Sequence, residues 1–139
     1  METLQQRCAR HEGLRLKPYL DTAGKLTIGY GRNLDDCGIR QSEADAMLAN
    51  DLLSASVELN RDLPFTAQLM PSARREVMVE MAMNLGMPKL LQFHDMIACL
   101  KGADYAGAAD AMLDSRWAGQ VGDRARELAE IMRTGVATR

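Results

Sequence analysis

The chain has 139 residues, 47% of them hydrophobic, and its 17 basic and 19 acidic side chains leave a formal charge of -2. That length and apolar content suit a single domain with a sizeable core, and the near balance of charge gives no general attraction to nucleic acid or acidic lipid. No apolar run approaches the roughly 20 residues of a membrane span, and the opening METLQQRCARHEG lacks the apolar centre of a secretory signal.

Residues 2–11 contain no helix breaker and predict a short helix ending near Gly13, with Glu12 in its last turn. The pattern then changes. Leu14, Leu16, Tyr19 and Leu20 surround Pro18, and Asp21-Thr22-Ala23-Gly24 has the composition of a turn. Lys25 to Tyr30 alternates as a strand, with Leu26, Ile28 and Tyr30 on one face and Thr27 and Gly29 on the other, so the two segments predict a hairpin. Asn33 to Gly38 supplies a third short strand or a loop. From Ser42 the period is helical through Ala44, Met47, Leu48, Leu52, Ala55 and Leu59, with Ser42 as the expected N-cap and Asp45 three residues on. Pro64 and Pro71 bracket a loop or short helical turn. Ser72 opens a helix that stops at Gly86, and shorter helices are expected around 89–101, 104–114 and 122–133. The separators between these are Gly102, a Ser115-Arg116-Trp117 corner and the stretch from Gly119 to Gly122. The ten methionines read as adaptable core filler and Trp117 as a core anchor.

Cys8, Cys37 and Cys99 are far apart, odd in number and outside any metal-ligand spacing, and each is expected to be a small buried hydrophobe rather than half of a disulfide. His11 and His94 stand near no zinc-like pattern, so no metal is expected. The chain lacks a phosphate loop, a nucleotide fingerprint and a serine elbow as well.

The chemistry concentrates between His11 and Gly31. Hydrolysis of a glycosidic bond needs one protonated carboxyl for the leaving oxygen and a second carboxylate to activate water or stabilise the oxocarbenium-like transition state. Glu12 and Asp21 are of the right type. Glu12, beside Leu14 and Leu16, would be partly desolvated and its pKa raised, while Asp21 in a solvated turn would stay ionised. Thr27 on the polar face of the next strand could hold a water, and Gly29 leaves room for a sugar to approach the backbone. The bland alternative is structural, since acidic residues at helix ends and Asp in turns before Gly are common.

Glu12-Gly13-Leu14-Arg15-Leu16, Tyr19-x-Asp21-x-x-Gly24 and Leu26-Thr27-Ile28-Gly29-Tyr30-Gly31, in that register, resemble the catalytic signature of phage-type lysozymes, the muramidases and endolysins of glycoside hydrolase family 24. The likeness continues in Glu43-Ala44, Asn84-Leu85-Gly86, Phe93, Ser115-Arg116-Trp117, Gln120, Arg124-Ala125 and Arg133-Thr134-Gly135. It implies a mainly helical α+β, lysozyme-like fold in one domain over 1–139. A sheet lobe would cover about 13–40 and a helical lobe 1–12 and about 60–139. A helix at about 42–60 would connect them, with the active-site cleft between the lobes.

The resemblance further implies an inverting muramidase that needs no cofactor and cuts the β-1,4 bond between N-acetylmuramic acid and N-acetylglucosamine. Glu12 would be the general acid, Asp21 the second carboxylate and Thr27 the residue that places water. Gly31, Arg32, Asn33, Asn84, Phe93 and Arg124 would serve substrate binding, with Arg124 reaching toward Glu12. Such a guanidinium would lower the carboxyl pKa that burial raises. Two departures stand out: Arg32 occupies the place where many relatives have His, and the loop from Leu34 to Arg40 is short.

The partner expected is the peptidoglycan glycan strand, with export through a lesion made by a holin-type partner. Synthesis would be in the bacterial cytoplasm without a signal peptide, and action at the wall in the periplasm or outside. The protein would be monomeric, without stable membrane insertion. The basic residues Arg116, Arg124, Arg126, Arg133 and Arg139 could form a local patch for the anionic wall or simply a solvated face. Two other classes are a glycan-holding module that does not cut and a helical nucleic-acid binder, the latter disfavoured by the acidic total.

Overall fold

A computed structural model describes residues 1–137 and, of Ser72, the backbone. Arg139 of the proposed basic patch therefore lies outside the described residues. The chain forms two compact units, one from Met1 to Met47 and one from Leu48 onward. The combination of many helices with one small antiparallel sheet is the mainly helical α+β fold expected from the sequence. No helix among the described residues is long and apolar enough to cross a membrane.

The first unit opens with α1, Leu4–Glu12. Thr3 caps it: its hydroxyl accepts from Gln6 N at 3.1 Å, and the Gln6 side chain accepts from Thr3 N at 2.8 Å, which satisfies two otherwise orphaned donors. Gly13 ends the helix at φ 73°, a conformation that favours glycine. Strands β1 (Arg15–Leu20), β2 (Leu26–Gly29) and β3 (Arg32–Asn33) follow in an antiparallel sheet of order β1-β2-β3. Tyr19 faces Thr27 and Leu20 faces Leu26, and a bulge between Arg15 and Tyr19 breaks the register around Pro18, which an edge strand tolerates.

Two sequence expectations change here. The Leu26 and Tyr30 face is the exposed one, and Thr27 on the opposite face is 3% exposed, so the predicted polar face is the buried side. Leu14 and Leu16 are 51% and 80% exposed and form no apolar pocket for Glu12. A turn of helix, α2 (Leu34–Cys37), then leads into α3 (Gln41–Asp62), the long helix the periodicity predicted. Its start is not capped by Ser42, which lies inside the first turn; instead Glu43 reaches back and accepts from Arg40 N at 2.8 Å.

The hydrophobic core belongs to the second unit. There α4 (Phe65–Leu69) sits between the two prolines, and α5 (Ser72–Leu85) runs to Gly86 as expected. The segment 89–101 is not one helix but two, α6 (Met87–Leu90) and α7 (His94–Lys101), because Pro88 fits only a first helical turn and the chain turns again before Phe93. After α8 (Tyr105–Leu113), the supposed corner and glycine break form a helix of their own, α9 (Arg116–Val121). The Ser115 hydroxyl caps it by accepting from Ala118 N at 3.2 Å, and Gly119 is tolerated inside it. Gly122, at φ 60°, separates it from α10 (Asp123–Thr134).

Helix α10 packs most extensively on α8, and α7 packs on α8 as well. Fully buried Ala108 and Ala109 let these helices approach closely, while Met78, Met81, Met112 and Met132 fill the remaining space. Seven of the ten methionines are buried. The cysteines depart from expectation: Cys8 and Cys37 are exposed and Cys99 is half-buried, all three as free thiols. At those positions the short α1 and α2 bury no residue, so a small apolar side chain finds no core to join.

Candidate active site

Glu12, Asp21, Thr27, Gly31, Arg32 and Asn33 all belong to the first unit. Glu12 is the last residue of α1, and its exposed carboxyl lies over the β2–β3 turn. There one carboxyl oxygen, Oε2, is 2.8 Å from the point a Cβ on Gly31 would occupy. Gly31 has φ 79° as well, so both its backbone and its surroundings require glycine. Among the described residues of this unit no side chain pairs with the Glu12 carboxyl.

Asp21 follows β1 and is fixed by the hairpin turn. Its Oδ1 accepts from Ala23 N and Lys25 N, both at 2.9 Å, and its own N–H donates to Lys25 O at 2.9 Å. This is an Asx turn, and it explains why Asp stands before Ala23-Gly24. Oδ2 has no partner in the unit. The Thr27 hydroxyl donates to Lys25 O at 2.9 Å, so its proton is committed and its lone pairs remain as acceptors.

Arg32 and Asn33 have their side chains engaged within the protein. Arg32 Nη1 forms an ion pair with Glu43 Oε1, which also accepts from Arg40 N. The hydrogen-bonded Arg32 guanidinium, and then the Arg40 backbone N–H, hold the Glu43 carboxyl down to about 2, and Glu43 in turn raises the Arg32 pKa. Asn33 caps α2, accepting from Asp36 N at 3.0 Å and donating to Asp36 Oδ2 at 2.8 Å.

The acidic residues of α2 also brace the turn that carries Asp21. Asp35 accepts from Leu26 N at 2.6 Å and Asp36 pairs with Lys25 at 3.1 Å. Asp35 and Asp36 were not singled out in the sequence as site residues. The one available signal was an Asn-x-x-Asp cap in the short loop after β3.

Asn84, Phe93 and Arg124 belong to the second unit. Asn84 Oδ1 accepts from Trp117 Nε1 at 2.8 Å, and the Phe93 and Trp117 rings meet edge to face with centroids 6.2 Å apart. Trp117 is 3% exposed, the core anchor expected of it. Phe93 and Trp117 wall a cavity of about 710 Å³ that also receives Lys89, His94, Asp114 and Arg116. Arg124 pairs with Glu80 at 2.8 Å, Arg126 with Asp123, and Arg133 with Asp110 at 2.8 Å. The anticipated basic patch is therefore largely neutralised by acids of its own unit.

A family model described as phage lysozyme matches residues 9–133. An endolysin of Acyrthosiphon pisum secondary endosymbiont phage 1 is 32% identical over 106 positions, which cover 72% of this chain and 68% of the relative. The probable T4-type lysozyme 1 of Dictyostelium discoideum is 26% identical over 152 aligned positions, covering 89% of both. The pre-baseplate central spike protein Gp5 of Enterobacteria phage T4 is 27% identical over 91% of this chain, which spans 27% of that longer protein.

Proposed function

This chain belongs to the phage lysozyme family and is a peptidoglycan muramidase, and on that premise we propose that Glu12 is its general acid, Asp21 its general base and Thr27 the residue that orients the attacking water. The observation that carries this reading is the Glu12 carboxyl seated on Gly31 in the unit whose hairpin also holds Asp21 and the Thr27 hydroxyl. Glu12 in its protonated form gives its proton to the glycosidic oxygen as the bond to the anomeric carbon breaks. Asp21, with Oδ1 occupied by two backbone N–H groups, uses Oδ2 to take a proton from water. That water donates its other hydrogen to Thr27, whose own proton lies on Lys25 O, and its lone pair is thereby turned toward the anomeric carbon. A water held on the face opposite the leaving group makes the reaction inverting.

Asn84 and Phe93, the latter fixed by Trp117, contact glycan from the second unit, while Arg32 and Asn33 act by holding the turn around Gly31. Arg124, paired with Glu80, supports the glycan surface there. The enzyme works as a monomer on the wall and reaches it through a lesion made by a holin-type partner.

The test compares wild type with Glu12→Gln on purified peptidoglycan, following reducing-end release and the anomer formed first by NMR. Loss of release in a folded variant, with an α product from the β-linked substrate in wild type, supports the assignment; a variant as fast as wild type sinks it. The similarity to the Gp5 spike protein favours a second reading, a glycan-holding module of a larger particle. Wall binding by wild type without any release of reducing ends would select it.

A further inference from the structure

On the reading that Glu12 is the general acid, we propose that the Arg32–Glu43 ion pair is a positioning couple. It pins β3 to the first turn of α3 and so keeps Gly31 seated against the Glu12 carboxyl. Strand β3 has only two residues, and only the Thr27–Asn33 and Ile28–Arg32 pairings tie it to β2. Such a short strand needs side-chain anchors to hold its register. Asn33 supplies one by capping α2, and Arg32 supplies the other through Glu43.

The Glu43 anchor is itself fixed, because the oxygen that receives Arg32 also receives the Arg40 backbone N–H at the start of α3. Gly31 is the residue before Arg32, and Glu12 Oε2 lies against it with no room for an added methyl. A shift of the turn by an ångström would either push the acid away or open a gap beneath it. The other titratable groups that act on the pair are Arg40, on Glu43, and Cys37 of α2, on Arg32. With Glu43 held near 2 by Arg32, the couple stays charged from about pH 4 to pH 8. A histidine at position 32 would not.

The test uses the full chain with Arg32→Met, Glu43→Gln, Arg32→His and the Arg32→His/Glu43→Gln double variant. The readouts are kcat and KM for soluble glycan, the pH profile, and NMR signals of the Gly31 amide and the Glu12 side-chain carboxyl carbon. Arg32→Met and Glu43→Gln are expected to lower kcat roughly 10- to 100-fold with KM little changed, and to move both NMR signals. Arg32→His is expected to add a loss of kcat as the pH rises through about 6.5, and the double variant to lack that step.

Wild-type kcat and unmoved signals in Arg32→Met, with wild type cleaving normally, overturn the positioning role alone. Failure of wild type to cleave overturns the proposed reaction and this role with it. Should Arg32→Met fail to fold, the Arg32→His profile decides, since it switches the couple within one folded protein; absence of the added step refutes the proposal.

Discussion

An alanine methyl at position 31 would meet the Glu12 carboxyl oxygen at 2.8 Å, on a backbone with φ 79° that L-residues rarely adopt. The two penalties act together. We expect Gly31→Ala to cost about 1–3 kcal/mol of stability through the backbone and to lower kcat by about 100-fold by displacing the acid. Urea unfolding and steady-state kinetics check both, and a variant with normal kcat would mean that Glu12 tolerates displacement.

Glu43 gives a pH prediction at the same scale. Its carboxyl lies at about 2 in the folded chain against an ordinary 4.5, so its stabilising contribution is complete above 4.5 and disappears as the pH falls from there through 2. The stability difference between wild type and Glu43→Gln should therefore be constant above about pH 5 and shrink in acid. Urea midpoints measured across that range test this, and a difference unchanged down to pH 2 would remove the ion pair from the account. Glu12, Asp21 and Thr27 were legible in the sequence because they share a contiguous stretch with local turn signals. The Arg32–Glu43 pair was not, because its partners are separated by a cap, a helical turn and a loop that no periodicity spans.

Among the elements, α10 shows how a helix end is completed by a distant side chain. Arg74 on α5 donates to Met132 O at 2.7 Å and Arg133 O at 3.0 Å, and its guanidinium stacks on Tyr105 at 3.9 Å. These carbonyls would otherwise be left to solvent at the C-terminal end of the helix. Gly135 takes the left-handed position, with Arg74 packed 3.0 Å from where its Cβ would be. Arg74→Met keeps the apolar stem but removes both bonds and the stacked cation, and should cost about 2–4 kcal/mol of stability with kcat unchanged. Thermal unfolding together with kinetics checks the split.

Helix ends explain most of what the periodicity missed. The sequence resolved the long α3 and α5 because several turns repeat the apolar spacing. It merged α6 with α7 and overlooked α9, since helices of four to eight residues carry too few repeats and are set by caps such as Ser115 and by Gly122.

Across the molecule, burial is unevenly divided. Among the described residues the hydrophobic core cluster runs from Ala55 to Met132, whereas in the first unit only Thr27 is buried. Each fully buried large apolar side chain contributes about 1.5–3 kcal/mol, so the second unit is held by a sum of such terms. The first is held by backbone ladders, caps and polar contacts, including Asp35 on Leu26 N, Asn33 on Asp36 N and Arg32 on Glu43. Contacts of that kind are individually weak and open to solvent. Local opening of the hairpin should therefore need less free energy than opening of the α5, α8 and α10 core. Native-state hydrogen exchange at increasing urea is expected to release the amides of β1 to β3 first, by openings well below global unfolding, and those around Met78, Met112 and Leu128 only with it. Equal protection in both units would refute this, and would require that the sheet draw its stability from contacts other than its own. The same division makes the turn beneath Glu12 depend, within its own unit, on the polar anchors around Gly31, because that unit has no apolar core to fix the carboxyl in place.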